Sequence, residues 1–315
     1  MADGEARAWI ALVGPFAVVA LFWGFNYPMV VLGLRSAPPL WLAFFRALFG
    51  LVGSIALFPV LARQFQVKRL LPWRLRWRAL LLGVPNTAIF FGLWLQAATS
   101  VPAGQTSVLV YTFPIWVLLL ASVGLGERLG TMQVAASVLG LGGVAIIGLL
   151  GARNWVGGWV PVLELLGAAV SWAVATILLK RWFRREEMLE ANALQLTGAL
   201  LPLGIAAWWS APLSSVHFTS SLWIVLLWVG LLGTAVAYAL WFELLSRYRA
   251  ATLSAYLFVV PMVAIGAGFL LLGQGLGIPQ AIGVAAILIS IYLTHRAASR
   301  TPGGGSAPQA VEGGA

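Results

Sequence analysis

The chain has 315 residues, 61% of them hydrophobic and 9% charged, with a mean hydropathy of +0.95. Soluble domains carry roughly 25% charged residues, so this composition excludes a water-soluble fold and makes lipid the solvent over most of the surface. The formal charge of +10 does not point to a nucleic-acid partner, because the basic residues form short clusters between apolar runs and no single stripe.

There is no Cys, hence no disulfide, thiol nucleophile or cysteine metal site. His217 and His295 lie in a loop and near a helix end, with no partner at metal-ligand spacing, and no cofactor is expected. Asp3 and Glu5 stand where a signal peptide would be basic, so the first apolar segment reads as a retained spanning helix.

A spanning helix needs roughly 20 apolar residues. In chain order such segments fall at 9–31, 39–61, 78–99, 103–123 and 131–150, then at 159–180, 189–210, 222–245, 250–272 and 279–295. The linkers are short, and residues 297–315, rich in Gly, Pro, Ala and Ser, read as a disordered tail. The expected fold is therefore an all-α integral membrane protein of ten transmembrane helices.

Orientation follows from Lys and Arg in the loops. With the N-terminus inside, sixteen of the nineteen basic residues fall on the cytoplasmic side, and the outer loops keep only Arg35 and Arg153. The expectation is a bacterial inner (plasma) membrane protein with both termini cytoplasmic and His217 outside.

The chain also repeats itself. A shift of 147 residues pairs Gly83 with Gly230, Thr87 with Thr234 and Trp94 with Trp241. Without a gap it then pairs Ser107 with Ser254, Pro114 with Pro261 and Gln133 with Gln280. Paired Trp, Pro, Thr and Gln in one register exceed what an apolar chain gives by chance. The first copy occupies 1–150 and the second 151–296. Five helices per copy is an odd number, so the copies should enter the membrane from opposite sides as an inverted-topology repeat, the arrangement that permits alternating access.

Several polar and aromatic residues share helix faces. Asn26 lies in an apolar helix beside Pro28, which frees the carbonyl of Gly24. The pairs Trp23 and Tyr27, Asn86 and Phe90, Ser107 and Tyr111, Trp172 and Thr176, and Thr234 and Tyr238 each stand four residues apart on one face. Together with Tyr256 they are the candidate lining of a substrate cavity, although interhelical hydrogen bonding and packing account for such residues equally well. Trp94 and Trp241, near helix ends, suit an interfacial belt. Arg46 and Glu164 are charges within helices, and Glu164 is the candidate coupling group unless it reaches the outer interface. Glu243 can pair with Arg247 one turn on. Pro114 and Pro261, at equivalent places, each remove a helical hydrogen bond and are candidate hinges.

These residues carry a resemblance. Trp23-Gly24-Phe25-Asn26-Tyr27-Pro28, Arg46, Ser107 to Pro114, Gly126-Glu127-Arg128, Trp172 and Pro261 resemble the drug/metabolite transporter superfamily, in its EamA-type branch. One departure is Gln274, where the second repeat of that family commonly has Glu. Within the branch, length and aromatic content look like the YddG-type aromatic amino acid exporters. The resemblance implies outward movement of amino acids or similar metabolites through a central cavity. The expected partners are thus a small-molecule substrate and the bilayer, and a monomer is the simplest state. A membrane-embedded enzyme is disfavoured, since no catalytic constellation or nucleotide loop is visible, and a facilitator or channel remains the alternative to a coupled carrier.

Overall fold

A computed structural model describes residues 2–65, 70–101, 103–127, 130–146, 158–272 and 277–300. Among these residues all regular structure is helical. They fall into α1 (Ala2–Gly33), α2 (Pro39–Gln64), α3 (Trp73–Ala97), α4 (Ala103–Val110 and Phe113–Gly124) and α5 (Thr131–Ala145). The rest are α6 (Trp159–Trp182), α7 (Met188–Ser210), α8 (Ser220–Arg247), α9 (Ala250–Tyr256 and Val259–Leu272) and α10 (Ile278–Arg300). Six stretches are long and apolar enough to cross a membrane: Val13–Gly33, α2, α3, α6, α8 and Ala250–Leu271. Phe113–Gly124, Thr131–Ala145 and Ala281–Thr294 are shorter apolar helices, and in α7, continuous as a helix, Glu190, Asn192 and Gln195 interrupt the apolar run early. The last helix runs four residues past the expected boundary at 296. Arg128, Arg153, Gln274 and residues 301–315 of the tail lie outside the described residues.

The two halves break their helices at matching places. A π-helical turn spans Val84–Ile89 in α3, and another spans Leu227–Val236 in α8. The 147-residue shift carries the first onto the last six residues of the second. In α4 the helix stops at Val110 and restarts at Phe113, and in α9 it stops at Tyr256 and restarts at Val259. Pro114 therefore stands in the first turn of a new helix, where its missing N–H is harmless, and not in mid-helix as the sequence suggests. The carbonyl of Leu257, expected to be freed by Pro261, accepts from the Val260 amide at 3.0 Å.

Glycines let the rods approach closely, as membrane bundles require. A Cβ on Gly83 would strike the Gln195 carbonyl, and one on Gly198 the Leu80 carbonyl, so α3 meets α7 backbone to backbone. Gly230 of α8 meets Phe49 of α2 in the corresponding place. The direction of packing is equally informative. Trp41 donates to the Ala211 carbonyl at 2.9 Å, Phe44 packs on Gly204, and Asn192 donates to Ser54 at 3.2 Å. Rising numbers in α2 thus meet falling numbers in α7, and the pair is antiparallel. The α5–α10 pair is antiparallel too: Ser290 donates to the Ala136 carbonyl at 2.6 Å and Gly143 abuts the Gly283 carbonyl.

Charges gather at one end of the bundle. Gly126 has φ of 65°, a left-handed conformation that suits glycine, and it turns the chain so that Glu127 reaches the start of α9. There Glu127 accepts from the amides of Ala250 (3.0 Å) and Ala251 (3.3 Å), and pairs with Lys180 (3.5 Å) and Arg249 (3.7 Å). An anion at a helix N-terminus is favourable for the partial positive charge there. Glu243 pairs with Arg247, as the spacing suggests, and also with Arg185 at 2.8 Å. Glu190 pairs with Arg76 at 3.4 Å and accepts from the Leu71 amide.

Candidate functional site

Where the two halves meet, six rods line a narrow cavity. α1 contributes Trp23, Asn26 and Tyr27, which share a face at i, i+3 and i+4. Arg46 comes from α2, Phe90 and Trp94 from α3, and Trp172 and Tyr238 from α6 and α8. α4 supplies Val110, Tyr111 and Phe113 from either side of its break. The cavity volume is about 30 Å³, room for one or a few waters. An organic solute enters only if these rings part.

The walls are a continuous aromatic net. Trp172 stands edge-on to Trp23 at 5.5 Å and to Tyr238 at 5.4 Å, and lies 4.9 Å from Phe90. Tyr27 lies 5.4 Å from Trp94 and is hydrogen-bonded to Tyr111. Edge-on contacts of this kind are favoured by the ring quadrupoles. α1 is pinned from behind, where Trp23 donates to the Gly233 carbonyl at 3.0 Å and Gly24 packs on Val263. Gly233 also leaves room for the Asn26 side chain against the π-turn of α8.

Arg46 is the one charged residue in this lining, and it is 2% exposed. Its Nε donates to Thr234 Oγ1 at 3.2 Å. Its guanidinium lies 4.0 Å over the Phe91 ring and 5.1 Å from the Trp94 ring. Such cation–π contacts offset part of the cost of desolvating the charge. Thr234 in turn donates to the carbonyl of Val229, five residues back, as the π-turn allows.

Five polar atoms of the lining residues are buried with no hydrogen-bond partner among the described residues: Asn26 Oδ1, Arg46 Nη1, Trp94 Nε1, Trp172 Nε1 and Tyr238 Oη. Buried polar groups in proteins are nearly always hydrogen-bonded. Five such atoms on one set of lining residues call for a polar companion, water or solute.

Of the residues singled out from sequence, Trp23, Asn26, Tyr27, Arg46, Phe90, Tyr111, Trp172 and Tyr238 meet here. Others do not line it. Asn86 is buried inside the α3 π-turn, whose greater number of residues per turn alters its relation to Phe90. Ser107 is buried one turn before the α4 break, and Thr176 donates to the Trp172 carbonyl within its own helix. Thr234 stands behind Arg46, and Tyr256 packs edge-on against Phe16 at 6.0 Å. Glu164 is partly exposed near the start of α6 and away from the cavity. Pro114 follows the lining residue Phe113, whereas the α9 break that precedes Pro261 packs on Gly140.

Sequence reasoning missed Trp94, Val110 and Phe113. Trp94 is 5% exposed and Trp241 1%, so neither forms an interfacial belt. The i,i+4 spacing from Phe90 to Trp94 was the available signal. It also missed a buried polar chain in which Thr87 donates to Gln195 at 2.6 Å, Gln195 to Asn192 at 3.3 Å and Asn192 to Ser54. Two amides at i,i+3 in an apolar helix would have flagged it.

This geometry accords with what the chain is similar to. It is 29% identical over 279 residues to the uncharacterized transporter YvbV of Bacillus subtilis (strain 168), covering 89% of this chain and 90% of that one. It is 27% identical over 286 residues to a probable amino-acid metabolite efflux pump of Escherichia coli (strain K12), covering 88% and 92%. It is 30% identical over 220 residues to a probable terminal-alkyne amino-acid exporter of Streptantibioticus cattleyicolor, covering 64% and 69%. A solved crystal structure matches with a TM-score of 0.73 at 20% identity, covering 90% of this chain and 98% of its own, and speaks for the fold alone. The profile of the EamA-like transporter family matches residues 9–149 and again 159–296, and the chain belongs to that family.

Proposed function

We propose that this protein is a secondary transporter of ten spanning helices that exports small organic metabolites, amino acids with aromatic or apolar side chains foremost, by alternating access. The observation that carries this reading is the narrow aromatic cavity between halves whose equivalent helices, α2 with α7 and α5 with α10, pack antiparallel. Antiparallel equivalents correspond to an inverted repeat, and an inverted repeat can exchange an inward opening for an outward one. Broken helices beside the site are the usual device of such carriers. The amino-acid relatives support the substrate class. The basic residues clustered at one end support cytoplasmic termini in a bacterial inner membrane. A monomer suffices, since a single chain supplies every lining residue.

The test is flux in proteoliposomes loaded with single amino acids, with and without an imposed pH gradient. Saturable movement that Asn26→Ala or Tyr111→Ala slows at least tenfold supports the reading. Unchanged flux of every amino acid in both variants overturns the cavity assignment. A second reading, uncoupled facilitation, is favoured by one observation: among the described residues no carboxylate lines the cavity, and Glu164 stands apart from it. Flux indifferent to the gradient would select it.

A further inference from the structure

The five unpartnered atoms of the cavity are unequally divided. Arg46 Nη1, Trp94 Nε1 and Trp172 Nε1 only donate; Tyr238 Oη can do either; Asn26 Oδ1 alone is restricted to accepting. No lining residue is acidic, and Arg46 makes no ion pair among the described residues. Thr234 and the faces of Phe91 and Trp94 fix the guanidinium but leave Nη1 unused. The second half of α4 also begins at the cavity, with Phe113 in the lining, and a helix start carries partial positive charge. Fixed charge, spare donors and helix end all ask for an anion rich in acceptors. An ammonium group would find Asn26 Oδ1, a tyrosine oxygen and ring faces, under the repulsion of Arg46.

We propose that the recognised group of the substrate is a carboxylate held by Arg46 Nη1 and the indole N–H groups of Trp94 and Trp172. The substrates are then aromatic or apolar monocarboxylates, for which an α-ammonium group is dispensable. This inference rests on the cavity being the transport site, and it narrows the substrate from amino acids to the acid function itself. Charge-assisted hydrogen bonds are the strong ones, and each tenfold in affinity corresponds to about 1.4 kcal/mol.

The experiment measures calorimetric binding of three probes to the purified full chain in lipid nanodiscs: 3-phenylpropionate, phenylalanine and phenethylamine. 3-Phenylpropionate should bind at least as tightly as phenylalanine, and phenethylamine at least about tenfold more weakly. Arg46→Gln should weaken both carboxylates by about tenfold or more and leave phenethylamine no weaker, since it removes the charge that repels an ammonium. If Arg46→Gln does not purify as a single species, Trp94→Phe carries the test. It keeps a ring and removes one donor, and should weaken both carboxylates by roughly three- to tenfold. The proposal is overturned if phenethylamine binds tightest, if phenylalanine binds more than about tenfold tighter than 3-phenylpropionate, if the variants bind carboxylates as wild type does, or if none of the probes binds. Proteoliposome flux separates this from the transport reading. Carboxylates bound through Arg46 but not moved would leave the anchor standing and defeat export, whereas phenylalanine moved equally well by Arg46→Gln would do the reverse.

Discussion

Arg46 of α2 donates to Thr234 of α8 at 3.2 Å, and this contact between the halves has a neutral counterpart, where Thr87 of α3 donates to Gln195 of α7 at 2.6 Å. Thr87 and Thr234 are equivalent under the 147-residue shift. Arg46 and Gln195 are equivalent by packing, since their carbonyls face Gly230 and Gly83, themselves a matched pair. One fastening between helices is therefore charged and its twin is not.

In the proposed transport cycle each fastening holds one half against the other, so breaking them should have opposite effects. Thr234→Val and Thr87→Val should shift the balance of inward and outward opening in opposite directions, each on the order of tenfold, the worth of one buried hydrogen bond. Single cysteines at the two mouths of this Cys-free chain report the balance through their labelling rates. Shifts in the same direction would show that the two contacts do not oppose each other.

Glu127 is the second test. Its side chain is 9% exposed and joins α4 to α6 and α9 through two cations and two amides. Glu127→Gln leaves Lys180 short of a countercharge in a half-buried setting and should cost about 1–3 kcal/mol. The melting temperature followed by tryptophan fluorescence should fall, and cysteines at the mouth on that end should label faster. An unchanged melting temperature would make the network incidental.

Glycine contacts predict a contrast. Gly198→Ala places a methyl against the Leu80 carbonyl and should abolish expression of folded protein, because backbone cannot yield as a side-chain tip can. Gly266→Ala meets nothing within 4 Å, and helix propensity favours Ala over Gly by about 1 kcal/mol. It should purify at wild-type yield. Equal yields from the two variants would refute the close approach of α3 and α7.

The prolines should differ in a way that the sequence alone does not suggest. Pro114 follows a lining residue and Pro261 does not. Pro114→Ala, which permits α4 to run through its break, should weaken substrate binding by about threefold or more as well as slow transport. Pro261→Ala should slow transport with binding intact. Equilibrium binding beside flux tells them apart, and full flux in both would leave the prolines as static structure.

Topology has a direct check. His217 and Leu70 are both exposed, in loops at opposite ends of the chain's expected orientation. An impermeant thiol reagent applied to intact cells should label His217→Cys and spare Leu70→Cys. The reverse pattern would invert the protein.

Helix positions, the repeat and most of the cavity were legible from periodicity and from the ungapped register of Trp, Pro and Thr. What was hidden depended on departures from the ideal helix. Asn86 lies in the π-turn at 84–89, outside the lining, and Thr234 in the one at 227–236, bonded to Arg46, and no residue pattern announced these turns. Val110 and Phe113 stand on either side of the break at Tyr111 and join it in the wall, a wider arc than one face of a continuous helix presents. Trp94 was misplaced because distance from a helix end says nothing about which way a side chain faces. Arg46 could be read as a buried charge, but its spare donors exist only in three dimensions.

The seam between α5 and α10 has a mechanical consequence. A Cβ on Gly140 would come 2.5 Å from Phe258 and 2.6 Å from Ser290 Oγ, so the same glycine touches α10 and the residue at which α9 breaks. Gln133, two turns earlier, reaches Thr252 of α9 at 3.5 Å. The pair has little to do with the cavity and much to do with the jointed helix beside it. Such contacts would splint the joint: a bend of α9 at Phe258 would drag this seam or slide along its glycine surface.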